Sequence, residues 1–131
     1  MTTDATDLRA RNCAAAGALA AFVGVAAGAF GAHALRATLP PALLSAFETG
    51  VRYQVIHALA LLACAWAIDR FASRAAVTAA VLFITGILLF SGSLYALALT
   101  GSSAFGIVTP FGGLALLSGW LVFAVGLLRR R

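Results

Sequence analysis

Long apolar runs and short polar interruptions alternate along the whole chain. Residues 12–31, 51–68, 75–99 and 111–128 are four stretches dominated by Ala, Leu, Val, Ile, Phe and Gly. At about 1.5 Å per helical residue, each is close to the length needed to cross a ~30 Å hydrocarbon core. In lipid, only helices and closed barrels satisfy every backbone N–H and C=O internally. The pattern therefore predicts an all-α, integral membrane four-helix bundle in a single domain, 1–131.

The interruptions are short. Residues 1–11 carry Asp4, Asp7, Arg9 and Arg11 and are expected to form a short, poorly ordered polar tail. Proline suits the first turn of a helix, so a helix is predicted to start at Pro41. Leu43, Leu44, Phe47 and Val51 then share one side, with Ser45, Glu48 and Arg52 on another. That is the mark of a short interfacial amphipathic helix between spans 1 and 2. Glu48 and Arg52, four apart with the acid first, are expected to pair on it. Gly50 is expected to bend the chain into the second span. Asp69, Arg70, Ser73 and Arg74 make a polar turn, and residues 100–110 an uncharged connection rich in Gly and Ser.

Small residues recur at helical spacing. Gly17, Gly24 and Gly28 fall on one face of the first run, and Gly112, Gly119 and Gly126 repeat every seven residues along the fourth. Gly24 and Gly28 form a GxxxG pair, which lets helices approach closely in lipid. Both sets are read as helix-packing faces.

Composition sharpens this picture. The chain is 63% hydrophobic and 10% charged, and its mean hydropathy is +1.02, outside the range of soluble domains. The net charge of +5 is carried by arginine alone, placed singly or in short groups at the ends of apolar runs. No basic stripe is available for nucleic acid, and the pattern is that of anchoring to a leaflet surface. With four spans, Arg9, Arg11, Arg70, Arg74, Arg129, Arg130 and Arg131 share one side, against Arg36 and Arg52 on the other. The positive-inside rule then puts both termini in the cytoplasm, in a multi-pass protein of the cell's inner (plasma) membrane. Arg9, Arg11 and the Ala32-His33-Ala34 stretch imitate a signal peptide. The apolar run is longer than the ~7–15 residues of such a segment, and it is read as a retained span.

The cysteines are Cys13 and Cys64, with no CxxC spacing, and they read as small buried apolar residues. Neither HxxxH nor HExxH is present, and the histidines and glutamate have no spacing that defines a metal site; no metal or cofactor is expected. Ser91-Gly92-Ser93 lacks the GxSxG context of a nucleophile, and there is no phosphate loop or dinucleotide fingerprint. The chain is accordingly expected not to be an enzyme.

One stretch concentrates the remaining polar groups: FETGVRYQVIH, residues 47–57. Within it Tyr53, Gln54 and His57 point to one side of a helix, and Glu48 and Arg52 roughly the other. By topology His33, Ser91, Ser93, Tyr95 and Thr109 lie toward the same membrane face. His33, Glu48, Arg52, Tyr53, Gln54, His57, Ser91 and Tyr95 thus form the candidate ligand-binding pocket. An ionisable residue inside a span is a functional hypothesis by default. The competing reading is that His57, Gln54 and Tyr95 are interhelical glue.

The segments GAFGAHAL (28–35), FETGVRYQVIHALALL (47–62), LLFSGSLYALALTG (88–101) and TPFGGLALLSGW (109–120) carry a resemblance. Together they resemble domain of unknown function family 423, small four-helix membrane proteins that include the eukaryotic transmembrane protein 256. The resemblance implies an inner-membrane bundle with an uncleaved first helix. It brings no activity and no catalytic residue.

The expected function is that of a structural or accessory membrane protein. It would meet the lipid bilayer and a second copy or a larger membrane complex through its Gly and Ala faces. The alternative is a small transporter, channel or lipid- or ligand-binding protein with an outward-facing polar pocket.

Overall fold

The computed structural model describes residues 2–129, all of its regular structure helical. Helix α1 runs Thr2–His33, α2 Pro41–Phe71, α3 Arg74–Gly86, α4 Gly92–Thr100 and α5 Ala104–Leu128. A π-helical turn, Ile87–Ser91, joins α3 to α4 without a break, so these three pieces make one third span, Arg74–Thr100. The four helical segments are each long and apolar enough to cross a membrane.

The ends have local causes. Pro40 is extended (φ −55°, ψ 147°) and Pro41 occupies the first turn of α2, where a missing N–H costs nothing. The turn from α2 to α3 is only Ala72 and Ser73. Ala72 takes left-handed backbone (φ 51°) and its N–H closes on the Ile68 carbonyl at 2.8 Å, while the Ser73 hydroxyl accepts from the Ala76 N–H at 3.2 Å. Gly101, at φ 71°, ends α4 in the same manner.

Three boundaries differ from the sequence expectation. The polar tail is helical from Thr2: Asp4 complements the helix dipole in the first turn, and Ala10 and Cys13 are buried against α2 and α3. The amphipathic stretch starts at Pro41 as expected but runs straight into the second span, and Gly50 makes no bend. Its missing Cβ instead admits Tyr95, whose Cε1 would lie 2.8 Å from a methyl at that position. Helix α5 begins at Ala104, with Pro110 inside it rather than before it. Pro110 deprives the Gly106 carbonyl of its donor, a cost membrane helices tolerate where neighbouring hydroxyls compensate. The neighbouring Thr109 hydroxyl lies 3.4 Å from the Phe105 carbonyl and 2.7 Å from the Ser93 hydroxyl, tying this first part of α5 to α4. Met1, Arg130 and Arg131, the last two counted in the charge asymmetry above, lie outside the described residues.

Successive spans are antiparallel, and glycines set their register. Along α1, Gly17, Gly24, Gly28 and Gly31 meet Leu61, Val55, Val51 and Phe47 of α2 in turn. Along α5, Gly112, Gly119 and Gly126 meet Phe90, Phe83 and Ala75 of the third span. Helix α2 lies between α1 and the third span. Its far half packs with α1, α3 and α5 in an alanine-rich core around Leu61, Cys64, Phe83, Leu116 and Phe123, and Phe47, Leu35 and Ala98 form a smaller core at the other end.

Candidate functional site

Position along α2 decides which of its polar side chains turn inward. Gln54 and His57, three apart, are both buried, Gln54 toward α1 and α4 and His57 toward α5. A buried polar group in lipid is costly unless it is bonded. Each side-chain nitrogen and oxygen of the two has a partner.

Gln54 is a bridge across three helices. Its amide nitrogen donates to the Ala20 carbonyl of α1 at 2.9 Å, and its amide oxygen accepts from the Tyr95 hydroxyl of α4 at 2.7 Å. Tyr95 in turn packs its ring on Phe47 at 4.9 Å. One turn away, the Ser91 hydroxyl donates to the Gly50 carbonyl at 2.7 Å. The π turn that ends at Ser91 adds a residue to the helical repeat.

His57 is held from both sides. Nδ1 lies 2.6 Å from the Tyr53 carbonyl, which can only accept, and Nε2 lies 3.0 Å from the indole nitrogen of Trp120, which can only donate. These partners define the neutral Nδ1–H tautomer. The ring also sits among Phe83 at 5.4 Å, Trp120 at 5.9 Å and Tyr53 at 6.0 Å between centroids. Beside it opens a groove of about 420 Å³, lined by Tyr53, Ile56, His57, Phe90, Leu117 and Trp120 among others. Its walls are aromatic and aliphatic.

The eight residues of the predicted pocket do not converge on one cavity. Tyr53 and His57 line the aromatic groove, whereas Gln54 and Tyr95 line a separate shallow hollow of about 340 Å³ with Leu19 and Val23. Ser91 is fully buried against Gly50. His33 is exposed at the end of α1, and Arg52 is exposed on α2. Glu48 does not pair with Arg52; it faces Arg36 across 4.0 Å, both side chains exposed, a contact of little energetic weight. The reason is positional: the 3-10 turn Leu35–Ala37 folds back over the start of α2 and brings Arg36 to Glu48.

Trp120 is the partner that residue spacing did not reveal. One signal was available: an indole N–H in an apolar span needs an acceptor, and few exist. Cys13 is a smaller instance, its thiol donating to the Leu61 carbonyl at 3.2 Å. Among the described residues no buried side-chain nitrogen or oxygen lacks a hydrogen-bond partner, and no three His, Cys, Asp or Glu side chains gather.

A four-span helical bundle with Gln54, His57, Ser91, Ser93 and Tyr95 hydrogen-bonded between helices defines a small polytopic membrane protein. The sequence pattern of the family described as "Protein of unknown function (DUF423)" matches residues 27–113, and the chain belongs to that family. It is 43% identical over 110 residues to the UPF0382 membrane protein YwdK of Bacillus subtilis, covering 83% of this chain and 89% of that one. It is 42% identical over 112 residues to the UPF0382 inner membrane protein YgdD of Escherichia coli K12, covering 86% of each. A UPF0382 membrane protein of Haemophilus influenzae is 44% identical over 109 residues, 83% of this chain and 87% of its own. No solved structure matches.

Proposed function

We propose that the protein is a non-enzymatic accessory component of the inner membrane that works by packing against other membrane helices. One observation carries this reading. Every buried side-chain nitrogen and oxygen among the described residues has a hydrogen-bond partner within the bundle, which supports a packing role for these groups. The glycines of the two stripes, Gly17, Gly24 and Gly28 on α1 and Gly112, Gly119 and Gly126 on α5, face inward, onto α2 and the third span. The span surface most open to a partner is the outer side of α1, where Ala15, Ala18, Ala29 and Ala32 are exposed on either side of the equally exposed Phe22 and Val25. Small residues on a lipid-facing side permit close helix association.

The orientation proposed has both termini in the cytoplasm, because the turn at Arg70 and Arg74 and the ends at Arg9, Arg11 and Arg129 share one face. The inner-membrane name of the Escherichia coli relative supports the location.

Purification of tagged protein from its native membrane in mild detergent, followed by mass spectrometry, tests the role. A stoichiometric protein partner, or a second copy crosslinked through single cysteines at Ala18 or Ala29, is the expected result. Recovery of the chain alone, crosslinking included, would overturn it.

A second reading rests on the groove beside His57. Its aromatic lining and volume suit an apolar ligand entering from the lipid, as expected of a small ligand-binding or transport protein. A co-purifying small molecule lost on Leu117→Trp would establish it.

A further inference from the structure

Two clefts flank α3 at the arginine-rich end of the bundle, and they share one make-up. The first, about 480 Å³, lies between α3 and α5 and is lined by Ala75, Leu121, Val122, Val125, Gly126 and Arg129. The second, about 210 Å³, lies between α1, α2 and α3, where Arg9 and Asn12 stand over Ile68, Val77, Val81 and Ile84. Each has an apolar floor and one arginine among its lining residues. Along α5 the floor extends eight residues from Arg129 to Leu121, about 12 Å into the membrane at 1.5 Å per residue. Along α3 it extends from Val77 to Ile84.

We propose that each cleft seats one anionic phospholipid, its phosphate on the arginine and part of an acyl chain along the floor. The ordering of charge and apolar surface is that of the lipid itself: a cation at the interface and hydrocarbon contact below. Arginine presents a planar fork of donors that matches a phosphate. In the second cleft the Asn12 amide adds further donors. In the first, α3 starts at the cleft, and the N–H groups of Arg74 and Ala75 are among those a helix leaves without intrahelical partners. Neither cleft has an acidic side chain among its lining residues, so nothing there meets the ammonium of a zwitterionic headgroup. The charge balance selects a lipid with net negative charge. This site is independent of the groove beside His57 and of the outer face of α1.

Native mass spectrometry of the full-length protein, released from mild detergent with phosphatidylglycerol or phosphatidylcholine supplied at equal concentration, tests the proposal. The wild type should retain up to two phosphatidylglycerols, and phosphatidylcholine should bind roughly five-fold more weakly per site, the worth of about one arginine near the surface. Arg129→Gln and Arg9→Gln should each weaken phosphatidylglycerol binding at one of the two sites by roughly five-fold, and the double variant at both. These arginines are exposed, so the bundle core is untouched. Arg70→Gln removes a charge from the same face, at a side chain that rests on the Phe71 ring and lines neither cleft, and should keep both lipids. Leu121→Trp fills the first cleft from an exposed position with every charge in place, and should remove one. Equal retention of the two lipids would overturn the proposal. So would an Arg70→Gln loss matching that of Arg129→Gln, or two lipids still held by Leu121→Trp.

Discussion

The indole N–H of Trp120 donates to Nε2 of His57 across 3.0 Å, tying α5 to α2 through one hydrogen bond in the apolar middle of the bundle. With Nδ1 on the Tyr53 carbonyl, the histidine has no donor or acceptor to spare. A residue that reads in isolation as an ionisable group in a span is here hydrogen-bonded at both ring nitrogens. Trp120→Phe keeps an aromatic ring in place but removes the donor together with part of the indole's packing on Phe83 and His57. It should destabilise the protein by at least about 0.6–1.7 kcal/mol, the span measured for hydrogen bonds between membrane helices, with the lost packing added. Unfolding in a denaturing-detergent titration checks this. Combining it with His57→Phe should cost less than the sum of the two, because both remove the same bond.

Gln54 carries two interhelical bonds and Tyr95 only one of them. Gln54→Leu should therefore cost more than Tyr95→Phe in the same titration, by about one such bond. Equal costs would mean that the Ala20 contact contributes nothing.

Gly112 should behave oppositely to Gly92 and Gly106 when a side chain is added. A Cβ on Gly112 would fall on the backbone of Leu89 and Phe90, which cannot rotate away, so Gly112→Val should prevent α5 from docking and sharply lower folded yield. Gly92 and Gly106 have nothing within 4 Å of that position. Gly92→Ala should gain about 0.5–1 kcal/mol, the helix-propensity difference. The two outcomes are read by size-exclusion chromatography and thermal melting in detergent.

Ala72 holds left-handed backbone at φ 51°, a conformation that costs an L-residue about 1–2 kcal/mol. Glycine adopts it freely but loses more chain entropy on folding. Ala72→Gly should still raise the melting temperature, by a net gain of about 0.5–1 kcal/mol. A fall in melting temperature would show that the turn gains more from the methyl group than it loses in strain.

Much of the site was visible along the chain, but not its pairings. Tyr53, Gln54 and His57 stand apart because polar residues are rare in a chain 63% hydrophobic. Gln54 and Tyr95 do bond each other, while His57 bonds Trp120 and neither of those two. Glu48 illustrates why: Arg52 is its neighbour by helical spacing, yet the fold-back of the 3-10 turn presents Arg36. Helix boundaries depart from the sequence pattern where polar residues imitate breaks. The stretch from Thr2 to Arg11 is helical because Ala10 is packed into the core, and Ala104–Pro110 because Thr109 finds Ser93 on the neighbouring helix.

What the sequence determines by itself is the class, the number of spans and their antiparallel succession. Without water in the bilayer core, backbone hydrogen bonds must close within each segment, so run length and apolarity suffice to define a crossing. Short connections then leave successive spans no choice but to reverse direction. Tertiary structure alone decides which polar atoms meet and which clefts stay open. A hydrogen bond is made or lost within half an ångström and a few tens of degrees. The helix rotation and register that bring Trp120 to His57, or Gln54 to both Ala20 and Tyr95, are set by how glycines and bulky side chains interlock between helices. Periodicity along one helix carries no record of that interlocking.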